Sequence, residues 1–320
     1  MEIISIKNFT KPYKEIYQIW NDEYGFIYPI TEELFLRNTI NHNGLLDDGS
    51  FIAMIDDKVI GFIFTKVWKH NHFILEYDSY GWISLLYIKP SERRKGIGSR
   101  LLKLAEDKLR EFKKTKFYIG RDYQNFFPGL PFDFKVSLPW FEKRGYQTTY
   151  DTNDLIQTID ETTQPLPLYK NDFLIRFATK DDFPKLRKLF ENNWPGRWLV
   201  EFEDYIAYNG TGEEYLIGLD GEKICAFCKV ATPTTKTNLS GYSLTWRSRF
   251  PALGGIGPLG VDKEYRGQKL GYNIVAKAVN YFINTKVSHL IVDWTNLIEF
   301  YRLFGFEIWK SYKYLIKEEK

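Results

Sequence analysis

Tyr87-Ile-Lys-Pro-Ser-Glu-Arg-Arg-Lys-Gly-Ile-Gly98 and Gly260-Val-Asp-Lys-Glu-Tyr-Arg-Gly-Gln-Lys-Leu-Gly271 follow one pattern, 173 positions apart (266 − 93) in a chain of 320 residues. Each leaves an apolar run, crosses basic and glycine residues, and enters a stretch with helically spaced apolar positions. These are Leu101, Leu102 and Ala105 in the first, and Ile274, Val275 and Ala278 in the second. Self-similarity on this scale means two copies of one unit. A second landmark agrees: Phe141-Glu-Lys-Arg-Gly-Tyr146 matches Tyr301-Arg-Leu-Phe-Gly-Phe306 at an offset of 160 (305 − 145). The first copy therefore carries 13 more residues between landmarks (173 − 160), including Phe126-Phe-Pro-Gly-Leu-Pro131. Upstream, Ile55-Asp-Asp-Lys-Val-Ile-Gly61 and Leu219-Asp-Gly-Glu-Lys-Ile-Cys225 read as matching hairpins with acidic turns.

Each copy thus reads as strand, helix, hairpin, strand, long helix, strand, short helix and final strands, a mixed α/β order. The central strand, long helix and following strand fall at 83–88, 98–112 and 116–119 in the first copy. In the second they fall at 257–261, 271–283 and 290–293. Asp160-Glu-Thr-Thr-Gln-Pro-Leu-Pro-Leu168 is polar and proline-bearing. It divides the chain into a first domain at 1–160, a linker at 161–172 and a second domain at 173–320.

Composition narrows the class. Hydrophobic residues are 44% and charged residues 27%, as in a soluble globular protein. The net charge of +3 is spread along the chain rather than gathered into a basic stripe, which argues against nucleic acid. The N-terminal stretch lacks the apolar run of a signal peptide, and no window suggests a membrane span, so the expected location is the cytoplasm. Cys225 and Cys228 form a CxxC spacing within a strand-like run, where residues three apart face opposite ways and the thiols diverge. His70 and His72 lie in a polar segment read as a loop, and no metal site is expected.

The repeated loop has its own chemistry. A helix start presents unpaired N–H groups and the positive end of its dipole. Glycines let a ligand approach that backbone, and Arg93, Arg94 and Lys95 add charge, which together suit a diphosphate. Arg93-x-x-Gly96-x-Gly98, placed between a strand and a helix, resembles the signature of the GNAT N-acetyltransferases. The resemblance covers nearly the whole chain as two copies and implies two tandem GNAT domains, each a splayed mixed sheet flanked by helices. It implies acetyl-CoA, or another acyl-CoA, as co-substrate.

Carried over by position, the resemblance assigns the diphosphate to Arg93, Arg94, Lys95, Gly96, Ile97, Gly98 and Ser99. It assigns the pantetheine arm to Leu86, Tyr87 and Ile88. In the second copy the equivalents are Arg266, Gly267, Gln268, Lys269, Leu270, Gly271 and Tyr272, with Leu259, Gly260 and Val261. There Lys269 stands where the first copy has Gly96, and either its Cβ crowds the phosphates or its ammonium pairs with them.

Acetyl transfer to an amine also needs a proton donor for the departing thiolate. The resemblance assigns this role to Tyr301, which Phe141 replaces in the first copy, and assigns Asn296 to the CoA arm, although helix capping accounts for Asn296 equally well. Asp293 is the acidic candidate for proton removal. The first copy has the better phosphate loop and the second the better acid. Two readings stay open: an N-acetyltransferase of a small-molecule or peptide amine, monomeric or homodimeric, or a non-catalytic acyl-CoA-binding scaffold.

Overall fold

A computed structural model describes residues 1–70, 74–236, 239 and 244–319; His72 lies outside the described residues. In chain order the elements are β1 (Glu2–Ser5), α1 (Lys14–Tyr24), α2 (Glu32–Asn38), β2 (Phe51–Ile55), β3 (Lys58–Val67), α3 (Leu75–Asp78), β4 (Tyr80–Ile88), α4 (Ile97–Glu111), β5 (Lys116–Ile119), β6 (Leu130–Pro131), α5 (Ser137–Glu142) and β7 (Gln147–Thr158). There follow β8 (Leu174–Phe177), α6 (Phe183–Asn193), α7 (Arg197–Ala207), β9 (Tyr215–Asp220), β10 (Lys223–Ala231), α8 (Leu244–Arg249), β11 (Leu253–Val261), α9 (Leu270–Ile283), β12 (His289–Thr295), α10 (Ile298–Arg302) and β13 (Glu307–Glu318).

The chain forms two compact units: Met1–Thr152 with Lys310–Lys320, and Asn153–Trp309. The division parts from the sequence boundary at the last strand of each copy. Residues 153–158 of β7 pair with β12 in unit 2, whereas Ile316, Lys317 and Glu318 of β13 pair with Tyr118, Phe117 and Lys116 of β5 in unit 1. The strand order is β1-β2-β3-β4-β5-β13 in unit 1 and β8-β9-β10-β11-β12-β7 in unit 2.

Both sheets form from the same local signals. The β2–β3 hairpin turns on Asp56 and Asp57, both with positive φ, as a two-residue turn matched to strand twist requires. The long helices amass one apolar face each. Leu101, Leu102, Ala105 and Leu109 of α4 enter the unit 1 core, and Ile274, Val275, Ala278, Val279 and Phe282 of α9 enter that of unit 2. The thiols do not diverge as strict alternation requires. A register shift in β10 between Ile224 and Ala226 leaves Cys225 as an extra residue, and both cysteines join the core under α9. They are unbonded to each other, and burial pushes their pKa values up to about 11 for Cys225 and about 12 for Cys228.

In unit 2 the short 3-10 turn Lys180–Asp182 that leads into α6 carries a capping box. The Asp182 carboxylate accepts from the Thr179 N–H (2.8 Å) and takes both arms of Arg176 (2.7 and 2.8 Å). The Arg176 hydrogen bonds, against some burial, lower its pKa to about 2. A carboxylate depressed in the folded state contributes stability above its unfolded pKa of about 4, and loses it as pH falls through the folded value. Discounted for the partly exposed arginine, Asp182→Asn should cost about 1–2 kcal/mol at pH 7 and almost nothing near pH 2. Urea unfolding of both proteins at the two pH values checks this.

Candidate functional site

The site in each unit begins where two parallel strands part. In unit 1, β4 and β5 pair from Tyr80–Lys116 to Ile83–Ile119, after which β4 runs on to Ile88 without that neighbour. In unit 2, β11 and β12 pair from Leu253–His289 to Gly255–Ile291 and then separate in the same way. The cause lies in the other neighbour. Opposite β3, Leu85 meets Phe64 and Ile83 meets Thr65, so Ser84 is one residue too many. Opposite β10, Leu259 meets Cys228 and Ile256 meets Val230, which leaves Gly257 and Pro258 against Lys229 alone. Such a bulge bends its strand and turns it away from the parallel partner.

Beyond each splayed strand the repeated loop leads into α4 or α9. Two positions per loop hold left-handed backbone: Arg94 (φ 62°) and Gly96 (82°) in unit 1, Gly267 (79°) and Lys269 (62°) in unit 2. They correspond pairwise, so the copies keep one conformation and place the glycine at different points. A Cβ built at Gly96, the position equivalent to Lys269, meets no protein atom within 4 Å. The same open mouth above Gly96 and Gly267, beside unpaired amides at a helix start, fits a diphosphate.

The leading arginines hold each loop to its strand end. Arg93 Nε donates to the Ile88 carbonyl (2.9 Å) and Arg266 Nε to the Val261 carbonyl (3.2 Å). In unit 1 the Arg93 guanidinium also pairs with Glu23 of α1, which accepts from the Tyr87 hydroxyl (2.9 Å). Burial raises Glu23, but the bonds from Arg93 and Tyr87 outweigh it and hold its pKa below the ordinary carboxylate range. Sequence reasoning missed Glu23 because nothing near it in KEIYQIWNDEY marks it; 64 positions separate it from Tyr87.

Below the splay of unit 1, Asp122 is fully buried and binds Lys66 Nζ at 2.6 Å and the Ser84 hydroxyl at 2.7 Å through one oxygen. Lys66 also donates to the Gln124 carbonyl (3.0 Å). Strand β3, the bulge residue of β4 and the segment after β5 are thereby tied across the gap. In unit 2 a different carboxylate does comparable work: buried Asp154 of β7 accepts from the Trp246 indole (2.7 Å) and the Trp294 N–H (2.9 Å).

Tyr301 and Phe141 occupy corresponding places in α10 and α5, both buried. Tyr301 packs on Phe300, Phe304 and Phe306. Burial first, then the proximity of Cys228 and Asp293, pushes its pKa well up, so its hydroxyl keeps its proton at neutral pH. Tyr301 shares its core with Cys228 and with Val292 of β12, and Leu259 and Val261 of β11 pack against that core. Asn296 does not cap α10. Leu297 is the cap residue, its N–H is taken by Thr295 Oγ1 (3.1 Å), and Asn296 is exposed. Gly260 stands where unit 1 has Tyr87, and a Cβ there would collide with Trp194, which fills the vacated space.

The acetyltransferase (GNAT) family model matches residues 13–127 and again residues 183–306. The chain belongs to the GNAT acetyltransferase family. Solved structures share the double layout. The glucosamine N-acetyltransferase region of a fungal multi-domain GH3 β-N-acetylglucosaminidase superposes with a TM-score of 0.86 at 21% identity, covering 98% of this chain and 38% of that one. This GNAT chain therefore spans well under half the length of the fungal protein. A GCN5-related N-acetyltransferase from Sphaerobacter thermophilus gives 0.70 at 15% identity, covering 99% and 95% of the two chains. A tandem GNAT protein from the clavulanic acid biosynthesis pathway gives 0.66 at 14%, covering 99% and 98%. No curated protein matches the sequence. Among the described residues no cluster of His, Cys, Asp or Glu could hold a metal, and no helix is long and apolar enough to cross a membrane.

Proposed function

We propose that this GNAT protein is a cytoplasmic, acetyl-CoA-dependent N-acetyltransferase of small-molecule or peptide amines, with transfer carried out in unit 2. The observation that carries the assignment is Tyr301, a protonated phenol beside the splayed strands at the place where unit 1 has Phe141. Acetyl-CoA would supply an activated acyl group, its diphosphate on the Gly267–Tyr272 amides and its arm along Leu259, Gly260 and Val261. The acceptor amine attacks the thioester carbonyl, the C–N bond forms and the C–S bond breaks. Pro258 has no N–H, which leaves one backbone N–H near Gly260 to donate to the developing oxyanion. Tyr301 gives its proton to the leaving thiolate, and Asp293 or a water takes the proton lost by the amine.

Unit 1 keeps the loop and lacks the phenol, which assigns it acyl-CoA binding without transfer. The fungal region that shares the fold is described as a glucosamine N-acetyltransferase. An amino sugar is therefore the first acceptor to try, ahead of peptide amines. Tyr301→Phe should lower kcat by roughly 10²-fold with little change in KM for acetyl-CoA, as the loss of a positioned acid predicts. Steady-state thiol release at pH 7.5 measures it; an unchanged kcat returns Tyr301 to packing and gives the proton to another donor, whereas release at the background rate from both proteins supports the non-catalytic reading.

A further inference from the structure

The linker between the two repeats is not a slack connector. Asn280 of α9 accepts from the Leu166 N–H (2.7 Å) and donates to its carbonyl (2.9 Å). Two turns earlier Asn273, itself buried, does the same to Tyr169 (2.8 Å each way). Two carboxamides seven residues apart thus hold the linker in register along the helix, each satisfying both backbone groups of one residue. The register delivers Tyr169 to the start of α9. Its ring lies 4.8 Å from that of Tyr272 and under the Lys269 ammonium, 4.9 Å from the ring centre, and the residue is 49% exposed. Lys269 and Tyr272 are themselves loop residues.

Unit 1 builds a comparable feature from unrelated residues. Trp140 of α5 stands against its loop, 3.5 Å from a Cβ built at Gly98. Arg144 stacks on the indole at 3.8 Å from the ring centre and donates to Ser99 Oγ (2.5 Å), the residue that corresponds to Tyr272. An aromatic ring paired with a cation therefore flanks both loops, supplied by α5 in one copy and by the linker in the other. Inherited packing would reuse equivalent residues; a shared ligand requirement need not. A ring and a cation together suit a purine base carrying a phosphate.

We propose that the linker completes the cofactor site of unit 2, with Tyr169 stacking the adenine of acetyl-CoA and Lys269 meeting a phosphate of its nucleotide end. The inference rests on the reading of unit 2 as an acetyl-CoA site and adds a nucleotide subsite to it. In this arrangement Lys269 compensates for the glycine it replaces. Asn273 and Asn280 are positioning residues that act through the linker backbone.

The test uses the full chain carrying Gly98→Glu, which closes the unit 1 loop, and titrates acetyl-CoA and S-acetyl-4′-phosphopantetheine by calorimetry. Tyr169→Ala should weaken acetyl-CoA about tenfold, within the range for loss of one base stack, and leave the truncated thioester unchanged. Tyr169→Phe should retain the affinity. Equal weakening of both ligands would make Tyr169 a support for the helix start and overturn the proposal, as would no weakening of either. If the Gly98→Glu chain binds no acetyl-CoA before Tyr169 is altered, the assignment of unit 2 itself fails. That outcome is distinct from a failure of the linker subsite.

Discussion

Gly271→Glu should abolish acetyl transfer, while Gly98→Glu should leave it near the unsubstituted rate. The two positions correspond, and both lie in helical backbone with room for a side chain: a Cβ at Gly271 meets only Val261 Cγ2 at 3.4 Å, and one at Gly98 meets Trp140 at 3.5 Å. A glutamate in a helix's first turn is also favourable for the helix, so both proteins should fold. Its carboxylate, however, takes the place of a diphosphate and repels another anion. Calorimetric titration should then show one acetyl-CoA site lost in each variant, and turnover with an amino-sugar acceptor should vanish only with Gly271→Glu. Loss of turnover with Gly98→Glu alone would move the chemistry to unit 1, where Phe141 offers no proton and the donor would have to be another group. Full activity in both would remove the loops from catalysis altogether.

Lys66→Ala should destabilise the protein by about 3–5 kcal/mol, the range for leaving one member of a buried ion pair unpaired. Lys66 and Asp122 are essentially inaccessible to solvent, and the ammonium holds the Asp122 carboxylate together with backbone carbonyls that would lose their donor. The double variant Lys66→Met/Asp122→Asn should recover much of the loss, since no uncompensated charge stays behind and the amide oxygen can still accept from Ser84. Denaturant unfolding followed by tryptophan fluorescence reads both. A cost below about 1 kcal/mol for Lys66→Ala would show that the pair is solvated and does not tie the splay.

Most of the layout is legible in one dimension. The loop repeat, its glycines and the apolar spacing of α4 and α9 are local patterns, and each produced the expected strand, turn and helix within a few residues. The acidic hairpins were legible for the same reason. Recurrence carried the inference from pattern to family, and the family model matches both halves. The exchange of final strands was not legible. Residues 147–158 and 307–318 are alternating strands that can pair along either open edge, and pairing partners are fixed by tertiary register rather than by propensity.

The same distinction runs through the site. Sequence alone determined that the chain holds two strand–loop–helix units with anion-ready helix starts, that Lys269 interrupts the glycine pattern, and that only the second copy carries a tyrosine in the short helix. Each follows from residue type and short spacing, where local sterics and helix geometry decide. Only the tertiary structure decided that Arg93 turns back to Ile88 and Glu23, that Ser84 and Gly257–Pro258 are the bulges that part the strands, and that Tyr169 reaches Lys269 across about a hundred residues. Those contacts join positions far apart in the chain, and burial, hydrogen-bond satisfaction and sheet register select them only once both cores have closed.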